Sequence, residues 1–232
     1  MKINRRLKAI TVDSPVYYMR YFVNRRVAGA LLAKHLSKHA MHDPVVLGIA
    51  RGGVAVAAEV ARGLNAELDV LIARKLGAPT SRELAIGAIT AEGGFYLNKP
   101  LIRELAIPRA YVERVTELEL AEAHRQARRL HFRRAPDITG RTVFLVDDGL
   151  ATGATMIVAA RQLREHSPER IVVAVPVGAG EACWDLRGEV DHVVCLVIPE
   201  PFWSVGLYYQ NFDQLDDDDV VRLLESAREV TR

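Results

Sequence analysis

A chain of 232 residues that is 50% hydrophobic, with 31 Lys and Arg against 29 Asp and Glu, is long enough for one sizeable core and too apolar for disorder. Its net charge of +2 gives no strong pull toward nucleic acid, and no apolar run reaches the length of a membrane span. The first twenty residues hold no secretory pattern, and Cys183 and Cys195 lack the spacing of a metal site or a disulfide framework, so a cytoplasmic setting is expected.

In chain order, residues 1–20 form an unassigned extension ahead of a domain at 21–232. His35, His39 and His42 have helical spacing but no completing ligand beyond Asp43, and read as a solvated helix end. "VVLGIA" (Val45 to Ala50) and "LDVLIA" (Leu68 to Ala73) read as strands, separated by the amphipathic helix "VAVAAEVARGLN". Their ends carry "ARGG" (Ala50 to Gly53) and "ARKLG" (Ala73 to Gly77). Roughly sixty residues then intervene before the next strand, an insertion at about 77–135. It holds "LAIGAITAEGGFYLN", a hairpin about Gly93-Gly94, and the long helix "AYVERVTELELAEAHRQARRLHFRR", acidic early and basic late as the helix dipole favours. The charges of that helix read as a solvated face.

"TVFLVD" (Thr142 to Asp147), "RIVVAVPV" (Arg170 to Val177) and "HVVCLVIP" (His192 to Pro199) complete the strands, with "MIVAARQLREH" and "EACWDLRGEV" as helices between them. Runs apolar at successive positions are buried on both faces, so the fold class is α/β: a mainly parallel, doubly wound sheet flanked by helices, with a small hood. The acidic run Asp216 to Asp219 reads as a helix start and lacks the spacing of a calcium loop.

The stretch "TVFLVDDGLATGATM" carries the function. Gly149 and Gly153 free the backbone, Ala151 and Ala154 let a ligand approach, and Thr152 and Thr155 add hydroxyl donors ahead of a helix N-terminus. This is an anion cradle of phosphate size, without the spacing of the common nucleotide loops. Carboxylates at ~4 Å from a phosphate would repel it by about 4 kcal/mol at an effective dielectric of 20. Asp147 and Asp148 must therefore meet another part of the ligand, either hydroxyl groups or a divalent cation. A ribose with its 5-phosphate in the loop fits this spacing.

On these residues, unbroken from Val143 to Thr155, the chain resembles the phosphoribosyl-pyrophosphate (PRPP) signature of the type I phosphoribosyltransferases. The resemblance extends to the phosphoribosyltransferases of uncharacterised acceptor through "RGGVAVAAEVA", "RKLGAPTSRELAIGA", "PEPFWSVGLYYQNFDQ" and "DDDDV", over about residues 20 to 225. It implies a pentosyltransferase of nucleotide metabolism that uses PRPP and Mg²⁺, with Asp147 and Asp148 as the catalytic pair and no protein metal ligand assigned. The same resemblance implies that Arg51, Gly52, Gly53, Arg74 and Lys75 hold the pyrophosphate, a plain surface charge being the other reading of Arg51 and Arg74. Arg82 and Glu83 are candidates for a lid, which would keep PRPP from water.

Phe202 and Trp203 either stack on a flat acceptor or pack the loop against the core. The acceptor implied is a nitrogenous ring, a nucleobase or related heterocycle. A homodimer is a carry-over from the family. The alternative function is a PRPP-binding regulator without transfer activity; the absence of a basic stripe or helix-turn-helix weighs against nucleic acid as its partner.

Overall fold

The computed structural model describes residues 10–11, 22–37, 43–130 and 135–230; His39 and His42 lie outside them. Six parallel strands form the main sheet in the order β1 (Ile10–Thr11), β9 (His192–Val197), β8 (Arg170–Val177), β7 (Thr142–Val146), β2 (Val45–Ile49), β3 (Glu67–Leu71). Every residue of β2 and β7 is buried, which is why these strands read as continuous apolar runs.

Alternate residues serve opposite faces, as the pleat requires. Val46, Phe144, Val172 and Val194 pack with α1 (Arg25–Leu36), α2 (Gly52–Leu64) and α7 (Asp217–Val230). Leu47, Leu145, Val173 and Cys195 pack with α5 (Ala154–Glu165) and α6 (Gly180–Leu186) on the other face. Close contact between α1 and α2 depends on small residues: a Cβ on Gly29 would lie 2.7 Å from the carbonyl oxygen of Val56. Asn24 caps α1, its side chain accepting from the amide of Val27 at 2.9 Å.

The predicted strand "LDVLIA" is two elements. β3 stops at Leu71, and after Ile72 the chain enters a second sheet of β4 (Ala73–Ala78), β5 (Ser81–Thr90) and β6 (Phe95–Leu97), all antiparallel. "ARKLG" is therefore itself a strand rather than a strand end, and Arg82 and Glu83 open β5. The hairpin at Gly93-Gly94 is present, with Gly93 at φ 93°. With α3 (Lys99–Glu104) and α4 (Arg109–Leu130), this sheet builds a hood with its own core of Leu76, Ile86, Ile89, Ile107 and Val112.

The acidic run starts α7 as expected. Asp216 and Asp219 each accept from the other's backbone amide, at 2.8 and 2.9 Å, a reciprocal cap of the helix N-terminus. Asp217 goes further than the sequence indicated: it is only 8% exposed and meets α4.

Candidate active site

Sheet order reverses direction between β2 and β7, whose successors β3 and β8 lie on opposite sides. Ligands bind beyond the carboxyl ends of strands at such a switch point. The loops leaving β2 and β7 hold Arg51 to Gly53 and Asp147 to Gly153, so the sequence-predicted groups meet there.

Gly153 stands at φ 76°, a left-handed conformation that glycine adopts without steric cost, and turns the chain into α5. The first intrahelical bond comes from Ile157 to Gly153 at 2.9 Å, which leaves the preceding amides of the helix start for a ligand. Leu150 anchors the loop from beneath, donating to Val177 at 2.9 Å and accepting from Ala179 at 2.8 Å. Gly149, Ala151, Thr152, Gly153 and Thr155 line a cleft of about 1260 Å³; Ala154 is buried at the start of α5. Nearby, the free thiols Cys183 and Cys195 are buried, and Cys195 donates to the carbonyl of Val197 at 3.2 Å.

The two aspartates occupy different surroundings. Asp147 lines the cleft, and its Oδ1 accepts from the amide of Asp148 at 2.8 Å. Asp148 turns to α1, where its Oδ2 accepts from Nε of Arg25 at 2.8 Å. Arg25 is itself held from two more sides, donating to the carbonyl of Asp213 at 2.8 Å and lying 3.7 Å from the centre of the Phe212 ring. Tyr209 donates its hydroxyl to the carbonyl of Asp148 at 2.6 Å.

Burial and the neighbouring Asp148 carboxylate push the Asp147 carboxyl well above the ordinary carboxylate range. Burial also raises Asp148, but the Arg25 guanidinium opposes the shift.

Gly52 and Gly53 pack against these carboxylates. A Cβ on Gly52 would fall 2.0 Å from Oδ2 of Asp148, and one on Gly53 would fall 2.9 Å from Oδ1 of Asp147. Their smallness thus serves the acidic pair as well as the turn into α2. The Arg51 guanidinium, half-exposed, lies 4.0 Å from Asp217 and is not among the residues lining the cleft.

The hood supplies the opposite wall. Arg74, Lys75 and Arg82 line it, as do Tyr111, Arg114, Leu118 and Glu119 of α4. Arg74 donates to Glu119 at 2.5 Å, and the Tyr111 hydroxyl donates to the carbonyl of Gly77 at 3.0 Å, fastening α4 to β4. Phe202 and Trp203 both line the cleft; Phe202 also stacks on Tyr208 with ring centres 5.8 Å apart and packs against the core, and Trp203 is 75% exposed.

Sequence reasoning missed Arg25, Tyr209, Arg114 and Glu119. Arg114 and Glu119 carried a periodic signal, but on a helix with charge on most faces that signal does not identify the face turned to a cleft. Arg25 and Asp148 are 123 positions apart, and their contact exists only in the fold.

A family model described as the phosphoribosyl transferase domain matches residues 24–210, and the chain belongs to that family. A protein of Mycobacterium tuberculosis (strain H37Rv), whose name assigns it provisionally to the phosphoribosyl transferases, is 44% identical over 212 residues. That alignment covers 90% of this chain and 47% of the relative, so the chain spans about half the relative's length. The crystal structure of TT1426 from Thermus thermophilus is 42% identical, with a TM-score of 0.73, and the match covers 89% of this chain and 98% of that one. Among the described residues, no helix is long and apolar enough to cross a membrane.

Proposed function

We propose that this chain transfers a 5-phosphoribosyl group from PRPP to a nitrogenous acceptor, a nucleobase or related heterocycle, with release of pyrophosphate. One observation carries the reading: the Gly149 to Thr155 loop at the start of α5, the Asp147 carboxyl and the hood cations Arg74, Lys75, Arg82 and Arg114 all open on a single cleft. The 5-phosphate would take the loop amides and the hydroxyls of Thr152 and Thr155. Asp147 would receive a ribose hydroxyl, and the hood cations would neutralise the leaving pyrophosphate. Arg82, which lines the cleft, and Glu83, the next residue in the sequence, would close over the bound ligand.

Among the described residues, no group of three His, Cys, Asp or Glu could hold a metal ion. Mg²⁺ would therefore arrive as part of the substrate, held by PRPP oxygens and water, as this ion commonly binds. In the reaction the ribose C1–oxygen bond to pyrophosphate breaks, a bond from the acceptor nitrogen to C1 forms, and the acceptor proton leaves. The protein contributes alignment and charge: the loop fixes the phosphate, and the cleft brings the acceptor to the opposite face of C1. Exposed Trp203 offers that acceptor an aromatic face.

Phosphorus NMR of Mg·PRPP with the protein, run alone and with a panel of purines, pyrimidines and other ring nitrogens, tests the proposal. Pyrophosphate appearing only with one acceptor is the expected result. A PRPP spectrum unperturbed by the protein and unchanged with every acceptor would overturn it.

A further inference from the structure

The family resemblance treats Asp147 and Asp148 as one catalytic pair, but the fold places them in different environments. Asp147 lines the cleft and Asp148 is not among its lining residues. The Asp148 carboxylate is closed in by Gly52 of α2, whose added Cβ would overlap it, and by Arg25 of α1. Its side chain is 15% exposed, and that of Arg25 12%. The guanidinium cannot swing away freely, because Asp213 and Phe212 hold it as well. On the other side, the Tyr209 hydroxyl fixes the backbone of Asp148 from the segment that follows β9.

We infer that the aspartates have separate tasks set by Arg25: Asp147 alone meets the ribose of bound PRPP, while Asp148 is a charged anchor that Arg25 keeps turned from the cleft. Arg25 is thus a positioning residue. The inference rests on the Mg·PRPP reading of the cleft. Its physical motive is the repulsion between carboxylates and phosphates: a second free carboxylate in the cleft would oppose a polyanionic ligand. Tied to a guanidinium at 2.8 Å, that charge is neutralised.

Calorimetric titration of Mg·PRPP into four variants tests this. Asp147→Asn is expected to weaken binding by about tenfold, the scale of a buried hydroxyl left without its partner, and Asp148→Asn by less than about threefold. Arg25→Met frees the Asp148 carboxylate and weakens binding by roughly three- to tenfold, as a nearby like charge would. Adding Asp148→Asn to Arg25→Met removes the freed charge and restores affinity, which a merely structural role for Arg25 would not produce.

Asp148→Asn as damaging as Asp147→Asn, or a double variant weaker than Arg25→Met alone, overturns the inference. If the wild-type protein binds no PRPP, the proposed function fails, and the NMR signal of the Arg25 Nε–H decides this inference alone. A signal moved by Asp148→Asn and not by Asp147→Asn supports it; the reverse overturns it.

Discussion

Replacing Asp217 by alanine is expected to destabilise the protein far more than the same change at its neighbour Asp218. Oδ1 of Asp217 accepts from Nε2 of Gln126 at 3.3 Å and Oδ2 accepts from Arg125 at 3.2 Å, with Arg51 and Arg129 each at 4.0 Å. Gln126 is 4% exposed, so the truncation strands a buried amide at a cost of about 1–3 kcal/mol. Loss of a negative charge from the first turn of α7 adds roughly 0.3–1 kcal/mol. Arg125 and Arg129 retain Glu122 and Asp218 as partners and are half-exposed, so their share is close to zero. The total, about 1.5–4 kcal/mol, lowers Tm by roughly 3–16 °C in a chain of this size.

Asp218 is 60% exposed and pairs only at the surface, so Asp218→Ala costs less than about 1 kcal/mol. Urea unfolding followed by circular dichroism compares the two. Equal losses would refute the reasoning, since they would mean that the buried Asp217 contacts contribute no more than a surface ion pair.

Gly149→Ala places a Cβ 2.4 and 2.6 Å from the two γ-methyl carbons of Val205, and overpacking of this kind costs about 1–3 kcal/mol. Combining it with Val205→Ala should recover part of the Tm, and a double variant less stable than both single variants would count against the clash as the cause. Asp147 makes a prediction in pH. With its proton affinity raised in the fold, the native state binds more protons than the unfolded chain above the ordinary carboxylate value of about 4. Its contribution to stability is complete below that value and is lost as pH rises through the raised one. Asp147→Asn should therefore be more stable than wild type at neutral pH, with a flatter stability profile above about pH 4; thermal melts from pH 4 to 8 check it, and an unchanged slope would contradict it.

The main sheet was legible because β2, β7, β8 and β9 are buried on both faces, and burial of that kind writes itself as consecutive apolar residues. The conformation of the Gly149 to Thr155 loop was legible for the same local reason: glycine at a positive φ and small residues before a helix leave a contiguous trace. The hood was not. Ile72 continues the apolar run of β3 into β4, so nothing in the residue pattern marks the change of sheet. Arg51 shows a contact that the residue pattern did not reveal, since Asp217, 4.0 Å away, stands 166 positions later in an acidic run that already had a sufficient local explanation. Local geometry is encoded locally; the direction of a long side chain is settled by what the fold brings beside it.

From β4 to α4 the hood is one uninterrupted stretch, residues 73–130, set between β3 and β7. Arg74, Lys75, Arg82, Arg114 and Glu119 all belong to it. The wall facing the Gly149 to Thr155 loop is therefore written in a single piece of coding sequence, separate from the loop itself and from the aspartates. Duplication and recombination can exchange such a piece whole and give an inherited loop a new opposite wall. What an exchange has to keep are the seams: Gln126 and Arg125 against Asp217, Arg129 against Asp218, and Glu92 against Gln162 of α5.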